Sequence, residues 1–336
     1  MAAAMRLVPG DAIERHSGKF LDWRRHGLMA AKIFIDGESG TTGLVIRDML
    51  CDRPDIEIVS IDPEKRKDDR AKADIMAAVD VAVLCLPDDA ARQSAALAAS
   101  LGSDAPKVLD ASTAHRTSPD WVFGFAELCG GQAERIASSP RVANPGCYST
   151  GAIALLRPLV DAGLIPTRFP VTINAVSGYS GGGRSMVEAY EAREAPDFEL
   201  YALGLEHKHV PEIIHYSGLS RRPLFVPSVA DFRQGMLVSI PLHLDQLPGN
   251  TSGDDLFDAL LAHYGDGSAV SVVAKDAVQG ENGKLEPQAL NDTNRMELRV
   301  YQNSDRGHVV LVARLDNLGK GASGAAVQNL ELMLGL

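Results

Sequence analysis

The sequence lacks the features that mark metal-binding, disulfide-stabilised and membrane proteins. Its cysteines are far apart, with no CxxC pair and no His/Cys spacing suited to zinc: Cys51, Cys85, Cys129 and Cys147. Neither a disulfide framework nor a metal site is therefore implied. No uninterrupted apolar run approaches the ~20 residues that would span a bilayer, so a membrane partner is not expected.

Basic residues are also few relative to acidic ones. The 336 residues carry 33 Lys and Arg against 44 Asp and Glu, a net charge of −11, without a basic stripe to follow a phosphate backbone. Nucleic acid is therefore not an expected partner. A hydrophobic content of 45% is enough for a sizeable core and about two domains. Cys51 and Cys85 lie in apolar segments, which fits thiols kept reduced in a cytosol, so a cytoplasmic protein is expected.

The N-terminal segment shows no clear periodicity. The first 28 residues contain no apolar core of the secretory type, and periodic structure begins at Lys32, just after a second methionine, Met29. Residues 1–30 are therefore predicted to be a poorly ordered extension. The alternative is a short surface helix over residues 12–23.

The first half of the remaining chain alternates strand-like and helix-like stretches. Apolar runs at 33–35, 56–61, 81–86 and 108–109 are separated by amphipathic stretches that include 43–50 and 89–101. This alternation predicts an α/β fold with a Rossmann-type, doubly wound parallel sheet. Such sheets bind ligands at the carboxyl ends of their strands, so residues 31–147 are predicted to bind a nucleotide.

The pattern changes after Cys147. Longer strand-like runs, with fewer helices between them, lie at 171–174, 236–242, 270–273, 296–300 and 309–315. They predict a second, α+β domain over residues 148–312 with a mixed or antiparallel sheet. Apolar residues at helical spacing over 322–334 predict a closing helix within residues 313–336.

A glycine-rich segment, DGESGTTG at 36–43, follows the first strand and opens a helix. Its glycines allow a tight turn and a close approach of backbone N–H groups to an anion, and its hydroxyls add donors. A nucleotide phosphate is the predicted ligand, although glycine triplets also occur as plain turns. The predicted contacts are Gly37, Ser39, Gly40, Thr41, Thr42 and Gly43.

The next strand carries the signal for the choice of cofactor. It ends at Asp62, where an acidic residue would bind the ribose 2′-hydroxyl of NAD. Lys65, Arg66 and Lys67 follow and could instead hold a 2′-phosphate by charge-assisted hydrogen bonds, which favours NADPH. A solvated charged turn is the alternative. Pro87, after the following strand, is a further candidate for cofactor binding.

Cys147 lies at the start of a predicted helix. The segment NPGCYSTG at 144–151 follows strand-like residues 141–143 and leads into an apolar helix at 152–159. Unpaired N–H groups and the positive end of the helix dipole stabilise a thiolate there, and the same amides could bind an oxyanion. We therefore predict that Cys147 is a nucleophile, against the commoner alternative of an inert buried cysteine.

Two histidines flank Lys208 shortly before Pro211, an expected helix start. In an extended segment His207 and His209 would share one face. One imidazole, with His207 preferred, could exchange protons with the cysteine and its adduct, while Glu212 could hold a tautomer. Metal binding is disfavoured because no third ligand is evident. The alternative to a catalytic role is a pair of solvent-exposed histidines without a function.

Two polar stretches at the ends of predicted strands carry arginines, STAHR at 112–116 and SGYSGGGR at 177–184. Bidentate arginines are suited to a small anionic substrate in an acidic protein, although solvated arginines in glycine-rich loops are the alternative. The predicted substrate contacts are Ser112, Arg116, Asn144, Ser177, Gly178, Arg184 and Glu212.

Four segments together resemble the short bacterial form of the N-acetyl-gamma-glutamyl-phosphate reductase family: GESGTTG at 37–43, NPGCY at 144–148, HKH at 207–209 and NLGKGASGA at 317–325. The resemblance covers about residues 32–336, and WVFGFAEL at 121–128 adds to it. The NPGCY block is specific to this family and its near relatives, whereas the glycine loop alone would be weak evidence. The family's loop more often reads GASGYTG, so Glu38 beside a phosphate is unexpected.

The resemblance implies a fold similar to aspartate-semialdehyde dehydrogenase and a role in arginine biosynthesis. NADPH would reduce N-acetyl-L-glutamyl 5-phosphate, the acyl-phosphate substrate, to N-acetyl-L-glutamate 5-semialdehyde with release of phosphate, through a thioester on Cys147 and a histidine acid/base from the HKH segment. The resemblance also implies a homodimer or homotetramer built on the second domain. The last helix would pack back on the nucleotide domain and bring Asn317 near the nicotinamide.

Two other functions fit the same motifs. A related reductase could act on aspartyl phosphate or on the aminoadipate phosphate of lysine synthesis, because the side-chain pockets that select the substrate cannot be built from sequence. A nucleotide-sensing Rossmann protein could bind NADPH without catalysis. A sensor, however, would not need a cysteine at a helix start together with an HxH pair.

Overall fold

The computed structural model describes residues 30–265, 269–280 and 282–336. Apart from Ala30, the expected N-terminal extension and its alternative helix lie outside the described residues. The first sheet has six strands: β1 (Ala31–Asp36), β2 (Ile56–Val59), β3 (Val81–Leu84), β4 (Lys107–Asp110), β5 (Val122–Phe123) and β6 (Arg141–Ala143). Its order is β2-β1-β3-β4-β6-β5, and every pairing is parallel.

Helices cover both faces of this sheet: α1 (Thr41–Leu50), α2 (Asp69–Met76), α3 (Asp88–Ser100) and α4 (Gln132–Ser138). Side chains of β1 alternate between the faces, so Ile33 and Ile35 share a buried cluster with α1 and α4, whereas Phe34 packs with α2 and α3. The predicted α/β, Rossmann-type class is confirmed. Both β2 and β3 end earlier than predicted, since Asp62 caps a 3₁₀ turn at Pro63–Lys65 and Pro87 caps α3.

The second sheet has seven strands: β7 (Thr172–Gly178), β8 (Phe198–Leu200), β9 (Leu224–Ala230), β10 (Met236–His243), β11 (Val270–Val272), β12 (Met296–Asn303) and β13 (His308–Leu315). Its order is β11-β12-β13-β10-β7-β9-β8. The β7–β9 and β11–β12 pairs are parallel and the others antiparallel, so the sheet is mixed, as predicted.

The helices of this half are α5 (Cys147–Asp161), α6 (Arg184–Glu191), α7 (Val210–Ser217), α8 (Gly253–Tyr264) and α9 (Lys275–Gly280). The apolar side chains of α5 are almost all buried, against α7, α8 and the strands β10, β12 and β13. Because α5 follows directly on β6, its first residue, Cys147, lies at the carboxyl end of the first sheet and at the edge of the second half.

The chain returns to the first sheet at its end. A π-helical turn, Gly319–Ser323, precedes α10 (Gly324–Leu334), so the closing α-helix begins later than the predicted residue 322. Ala326, Leu330 and Met333 join the buried cluster of β1, α1 and α4. No helix of the described residues is both long and apolar enough to cross a bilayer.

Candidate active site

A cleft of about 380 Å³ contains residues from both halves of the chain. It lies between the start of α1, the turn before α5, the loop after β7, the HKH segment and the π-helical turn. The predicted site residues that line it are Thr41, Thr42, Arg116, Asn144, Cys147, Ser177, Gly178, His207, His209 and Asn317.

Gly146 brings the nucleophile against three functional side chains. It is the N-cap of α5, and Cys147 is the first helical residue. A Cβ atom at Gly146 would lie 2.5 Å from Arg116 Nη1 and 2.7 Å from Glu212 Oε1, and it would also overlap His209 Nε2. Only glycine therefore allows these groups to approach the backbone beside the thiol.

Arg116 and Glu212 form a buried ion pair under this turn. Arg116 Nη1 donates to Glu212 Oε1 at 2.8 Å, and the other oxygen of Glu212 accepts from the Gly146 N–H at 3.2 Å. Arg116 Nε donates to the Asn144 carbonyl at 2.9 Å. Glu212 thus holds the arginine and the NPGC turn, and the histidine tautomer predicted for it has no hydrogen bond in support.

The start of α5 favours a Cys147 thiolate, as predicted, but burial opposes it and has the larger effect. Burial raises the pKa of the Cys147 thiol to about 11. The Tyr148 N–H, Arg116 and Lys208 act in the opposite direction, but they do not offset desolvation. Cys147 is therefore a thiol near neutral pH.

The HKH segment is a turn rather than the extended segment that was predicted. The Val210 N–H donates to the His207 carbonyl at 3.0 Å as the chain enters α7. The two imidazoles nevertheless meet edge to face, with ring centroids 4.7 Å apart. The His209 N–H donates to His207 Nδ1 at 3.1 Å, so a neutral His207 carries its proton on Nε2, 3.5 Å from the Tyr201 hydroxyl.

Both imidazoles are neutral near pH 7. Burial, with Lys208 and Arg116 nearby, lowers the pKa of His207 to about 4, and burial lowers the pKa of His209 well below its usual value. The titration near pH 6 to 7 expected for an unperturbed imidazole is thus displaced. Among the described residues, His209 Nδ1 is buried without a hydrogen-bond partner.

The glycine loop fits the phosphates of a dinucleotide. Gly37 has φ +93° and its missing Cβ would overlap the Cys85 carbonyl, while a Cβ at Gly43 would overlap the Gly37 carbonyl. These two glycines keep the loop tight against β3. Gly40 caps α1 without any side-chain hydrogen bond to the first N–H groups, which leaves them available to an anion.

Glu38 is neutralised within the loop. Its buried carboxylate accepts from the Ser60 hydroxyl at 2.9 Å and from Arg66 Nη2 at 3.3 Å, and Arg47 lies 3.5 Å away. Arg66 Nη1 also donates to Ser39 Oγ at 3.1 Å, which joins the basic turn to the glycine loop. Asp62, the predicted ribose contact, instead accepts from the Glu64 N–H at 3.0 Å.

Some predicted contacts lie outside the cleft. Arg184 is exposed and pairs with Glu188 at 2.8 Å on α6. Ser112 donates to Asp110 Oδ2 at 2.8 Å. The cofactor candidates that do not line the cleft are Gly37, Ser39, Gly40, Gly43, Lys65, Arg66 and Pro87.

Several residues that line the cleft were missed by the sequence analysis: Tyr148, Ser180, Tyr201, Lys208 and Gly321. Tyr148 and Lys208 lie inside the quoted motifs, and their positions next to Cys147 and the histidines were the available signal. Tyr201 lies in a loop with no motif. Among the described residues, no group of three or more His, Cys, Asp or Glu could hold a metal ion.

Family models and curated relatives match this chain over most of its length. Residues 32–138 match the family model "Semialdehyde dehydrogenase, NAD binding domain", and residues 147–317 match "Semialdehyde dehydrogenase, dimerisation domain". An N-acetyl-gamma-glutamyl-phosphate reductase of Chelativorans sp. is 54% identical, over 91% of this chain and 99% of the relative. One from Brucella ovis is 50% identical, over 91% of this chain and 100% of the relative.

Solved structures share the fold at low sequence identity. Aspartate semialdehyde dehydrogenase II of Vibrio cholerae has a TM-score of 0.66 at 15% identity and covers 92% of this chain and 99% of its own. Aspartate semialdehyde dehydrogenase of Candida albicans, solved with NADP, has a TM-score of 0.60 at 15% identity and covers 91% and 98%. At such identities the likeness concerns the fold.

Proposed function

The chain belongs to the N-acetyl-gamma-glutamyl-phosphate reductase family, and we propose that it uses NADPH to reduce N-acetyl-L-glutamyl 5-phosphate to N-acetyl-L-glutamate 5-semialdehyde, with release of phosphate, in arginine biosynthesis. The observation that carries the proposal is Cys147 at the first position of α5, in one cleft with both histidines and the threonines of the glycine loop. A nucleophile, proton donors and a phosphate-binding turn are what the reaction requires.

The cofactor site we propose is the glycine loop with its neighbours. The free N–H groups at the start of α1 would bind the pyrophosphate, and Arg66, fixed by Ser39 and Glu38, would bind the 2′-phosphate with help from Lys65. Pro87 and Asn317 would complete the site. Bound NADPH would supply the hydride.

Cys147 forms the covalent bond in this mechanism. Its sulfur attacks the acyl carbon, the bond from that carbon to the phosphate oxygen breaks, the departing phosphate takes up the thiol proton, and a thioester results. After reduction of the thioester carbon, the oxygen would take up a proton, and that proton would pass to the sulfur as the adduct collapses to aldehyde and free thiol. His207 Nε2–H is suited to donate a hydrogen bond to that oxygen and stabilise its negative charge, because Nδ1 already accepts from the His209 N–H.

The substrate contacts we retain are those in the cleft: Arg116, Asn144, Ser177 and Gly178. Glu212 acts through Arg116 and the Gly146 N–H as a positioning residue. We propose that the chain is divided into four segments: an extension (1–30), a cofactor domain (31–147), a catalytic and oligomerisation domain (148–312) and a helix that returns to the cofactor domain (313–336).

We also propose that the enzyme is a cytoplasmic homodimer or homotetramer. The second half matches a dimerisation-domain model. The edge strand β8 and the segments beside it expose large apolar side chains that a second copy would cover: Phe198, Leu200, Leu203, Leu205 and Leu224. The other partner that we propose is the small acyl-phosphate substrate.

The test is the reverse reaction in solution. We expect the protein to reduce NADP⁺ with N-acetyl-L-glutamate 5-semialdehyde only when inorganic phosphate is present. Aspartate semialdehyde and the aminoadipate semialdehyde should react at least tenfold more slowly, and a preference for either would assign the related reductase activity instead. Cys147→Ser should abolish turnover while leaving NADPH binding intact. Cofactor binding without turnover of any aldehyde would identify a sensor.

A further inference from the structure

We propose that Lys208 is a catalytic residue that binds the phosphate of the acyl-phosphate substrate and neutralises it as it leaves. This inference rests on the proposed function and assigns a step that no motif assigned. The acyl phosphate is an anion, and the leaving phosphate gains further negative charge as the carbon–oxygen bond breaks. A cation that is free to approach that oxygen would therefore stabilise the transition state.

Arg116 is already committed to a buried carboxylate, although two of its five N–H donors have no bond among those described and it still lines the cleft. Its Nη1 donates to Glu212 Oε1, its Nε to the Asn144 carbonyl and its Nη2 to the Ala111 carbonyl at 3.3 Å. The Glu212 carboxylate, only 1% exposed, cancels its charge in a buried pair. Release of Arg116 toward a phosphate would leave Glu212 buried and uncompensated, which is strongly unfavourable.

Arg184 is not placed for the task either. It lies on the exposed face of α6, where it pairs with Glu188 outside the cleft. Within the described residues, the cationic Lys and Arg side chains that line the cleft are Arg116 and Lys208. Lys208 is therefore the cleft cation that remains after the buried ion pair is set aside.

Lys208 has the exposure and the position that the role requires. It is exposed and makes no ion pair among the described residues, although its charge also acts on the Asp88 carboxylate. The turn before α7 holds it between His207 and His209, which line the same cleft as Cys147. Its positive charge reaches the cleft, since it partly opposes the rise that burial causes in the pKa of the Cys147 thiol and adds to the fall in the pKa of His207.

Lys208 stabilises thioester formation through its positive charge and transfers no proton. The Cys147 sulfur bonds to the acyl carbon, the bond between that carbon and the phosphate oxygen breaks, and the phosphate leaves with the electron pair of that bond and takes up the proton that the thiol gives up. The ammonium keeps its protons throughout. In reverse, the same ammonium would collect inorganic phosphate and present its oxygen to the thioester carbon.

Kinetics in the reverse direction test the assignment. Lys208→Ala should raise the KM for inorganic phosphate by about 10- to 100-fold, the effect of losing one charge-assisted hydrogen bond. The KM for NADP⁺ should change little, and Lys208→Arg should recover part of the phosphate affinity. Lys284→Ala, which removes an exposed lysine outside the cleft, is the matched control. An unchanged phosphate KM in Lys208→Ala, with only kcat reduced, would overturn the proposal.

Protection of the thiol gives a second measurement that needs no turnover. Inorganic phosphate should slow the alkylation of Cys147 by iodoacetamide in the unmodified protein and in Lys284→Ala, but not in Lys208→Ala. Equal protection in all three proteins would exclude Lys208 as the phosphate ligand. Because this arm reads phosphate binding directly, it decides the role of Lys208 even if the protein fails to oxidise the semialdehyde, which would count against the proposed function alone.

Discussion

At the residue scale, one environment sets the protonation states of the nucleophile and the histidines. Burial in the cleft disfavours charge on each group, so it raises the pKa of Cys147 and lowers the pKa values of His207 and His209. The resting site therefore holds a thiol beside neutral imidazoles rather than a thiolate–imidazolium pair. A thiol is the less reactive form of cysteine toward oxidants and alkylating reagents.

This state predicts how the reactivity of Cys147 depends on pH. A raised pKa means that the thiolate appears only as the pH rises toward about 11. Alkylation of the free protein by iodoacetamide, followed by mass spectrometry of the Cys147 peptide, should give a rate that still increases above pH 9. The exposed Cys51 serves as an internal reference for the reagent. A plateau reached by pH 7 would mean that the helix N-terminus outweighs desolvation after all.

The same residues show how far sequence reasoning reached. Cys147, His207 and His209 were predictable because each lies in a short local pattern of turn residues and a helix start. The Arg116–Glu212 bond joins residues 96 positions apart, and no local pattern encodes it. Desolvation of the thiol likewise depends on packing by both halves of the chain, so the direction of its pKa shift could not be read from the helix start alone.

At the element scale, the π-helical turn closes the cleft over the nucleophile. A Cβ at Gly321 would lie 2.9 Å from the Cys147 Cβ, so glycine allows the turn to pack directly on α5. The Ala322 carbonyl accepts from Asn144 Nδ2 at 3.0 Å. The apolar periodicity of the last segment predicted a helix, but it could not indicate a π-helical turn, because hydrophobic spacing does not encode the hydrogen-bond register.

A buried lysine anchors this turn, and its loss should be costly. Lys320 Nζ donates to both Glu127 oxygens, at 2.9 and 2.7 Å, and to Gln328 Oε1 at 2.6 Å. Lys320→Met should lower the free energy of unfolding by about 3 kcal/mol, because it leaves the largely buried Glu127 carboxylate without its cation and with Gln328 Nε2 as its remaining side-chain donor. Urea unfolding followed by circular dichroism measures the change.

The partner substitution separates the pair from the packing around it. Glu127→Gln combined with Lys320→Met removes both charges and should recover a substantial part of the lost stability. Lys284→Ala, at an exposed position, is the control and should unfold like the unmodified protein. A double variant no more stable than Lys320→Met alone would show that the lysine stem, and not its charge pair, holds the turn.

At the scale of the whole molecule, two sheets meet at one cleft and one edge stays uncovered. The alternation of strands and helices made the first sheet predictable, and the change of pattern after Cys147 marked the second. The strand order of the second sheet could not be predicted, because β7 pairs in parallel with β9 through a connection that contains β8 and α7. Its β8 edge is where large apolar side chains remain in water.

That edge leads to a prediction about assembly. Phe198 and Leu203 are 56% and 62% exposed. Burial of apolar surface by a partner contributes about 25 cal/mol per Å² to the free energy of association. Light scattering after size exclusion should give the mass of a dimer or tetramer for the unmodified protein. Phe198→Asp and Leu203→Asp should each shift the mass toward the 35.8 kDa monomer, because a carboxylate would have to lose its hydration in the interface.

Leu261→Asp, on an exposed position of α8, is the control and should keep the assembly. Circular dichroism must show native secondary structure in all three variants. A monomeric unmodified protein, or an assembly that survives both edge substitutions, would place the interface elsewhere or remove it, and the apolar edge would then need a different partner.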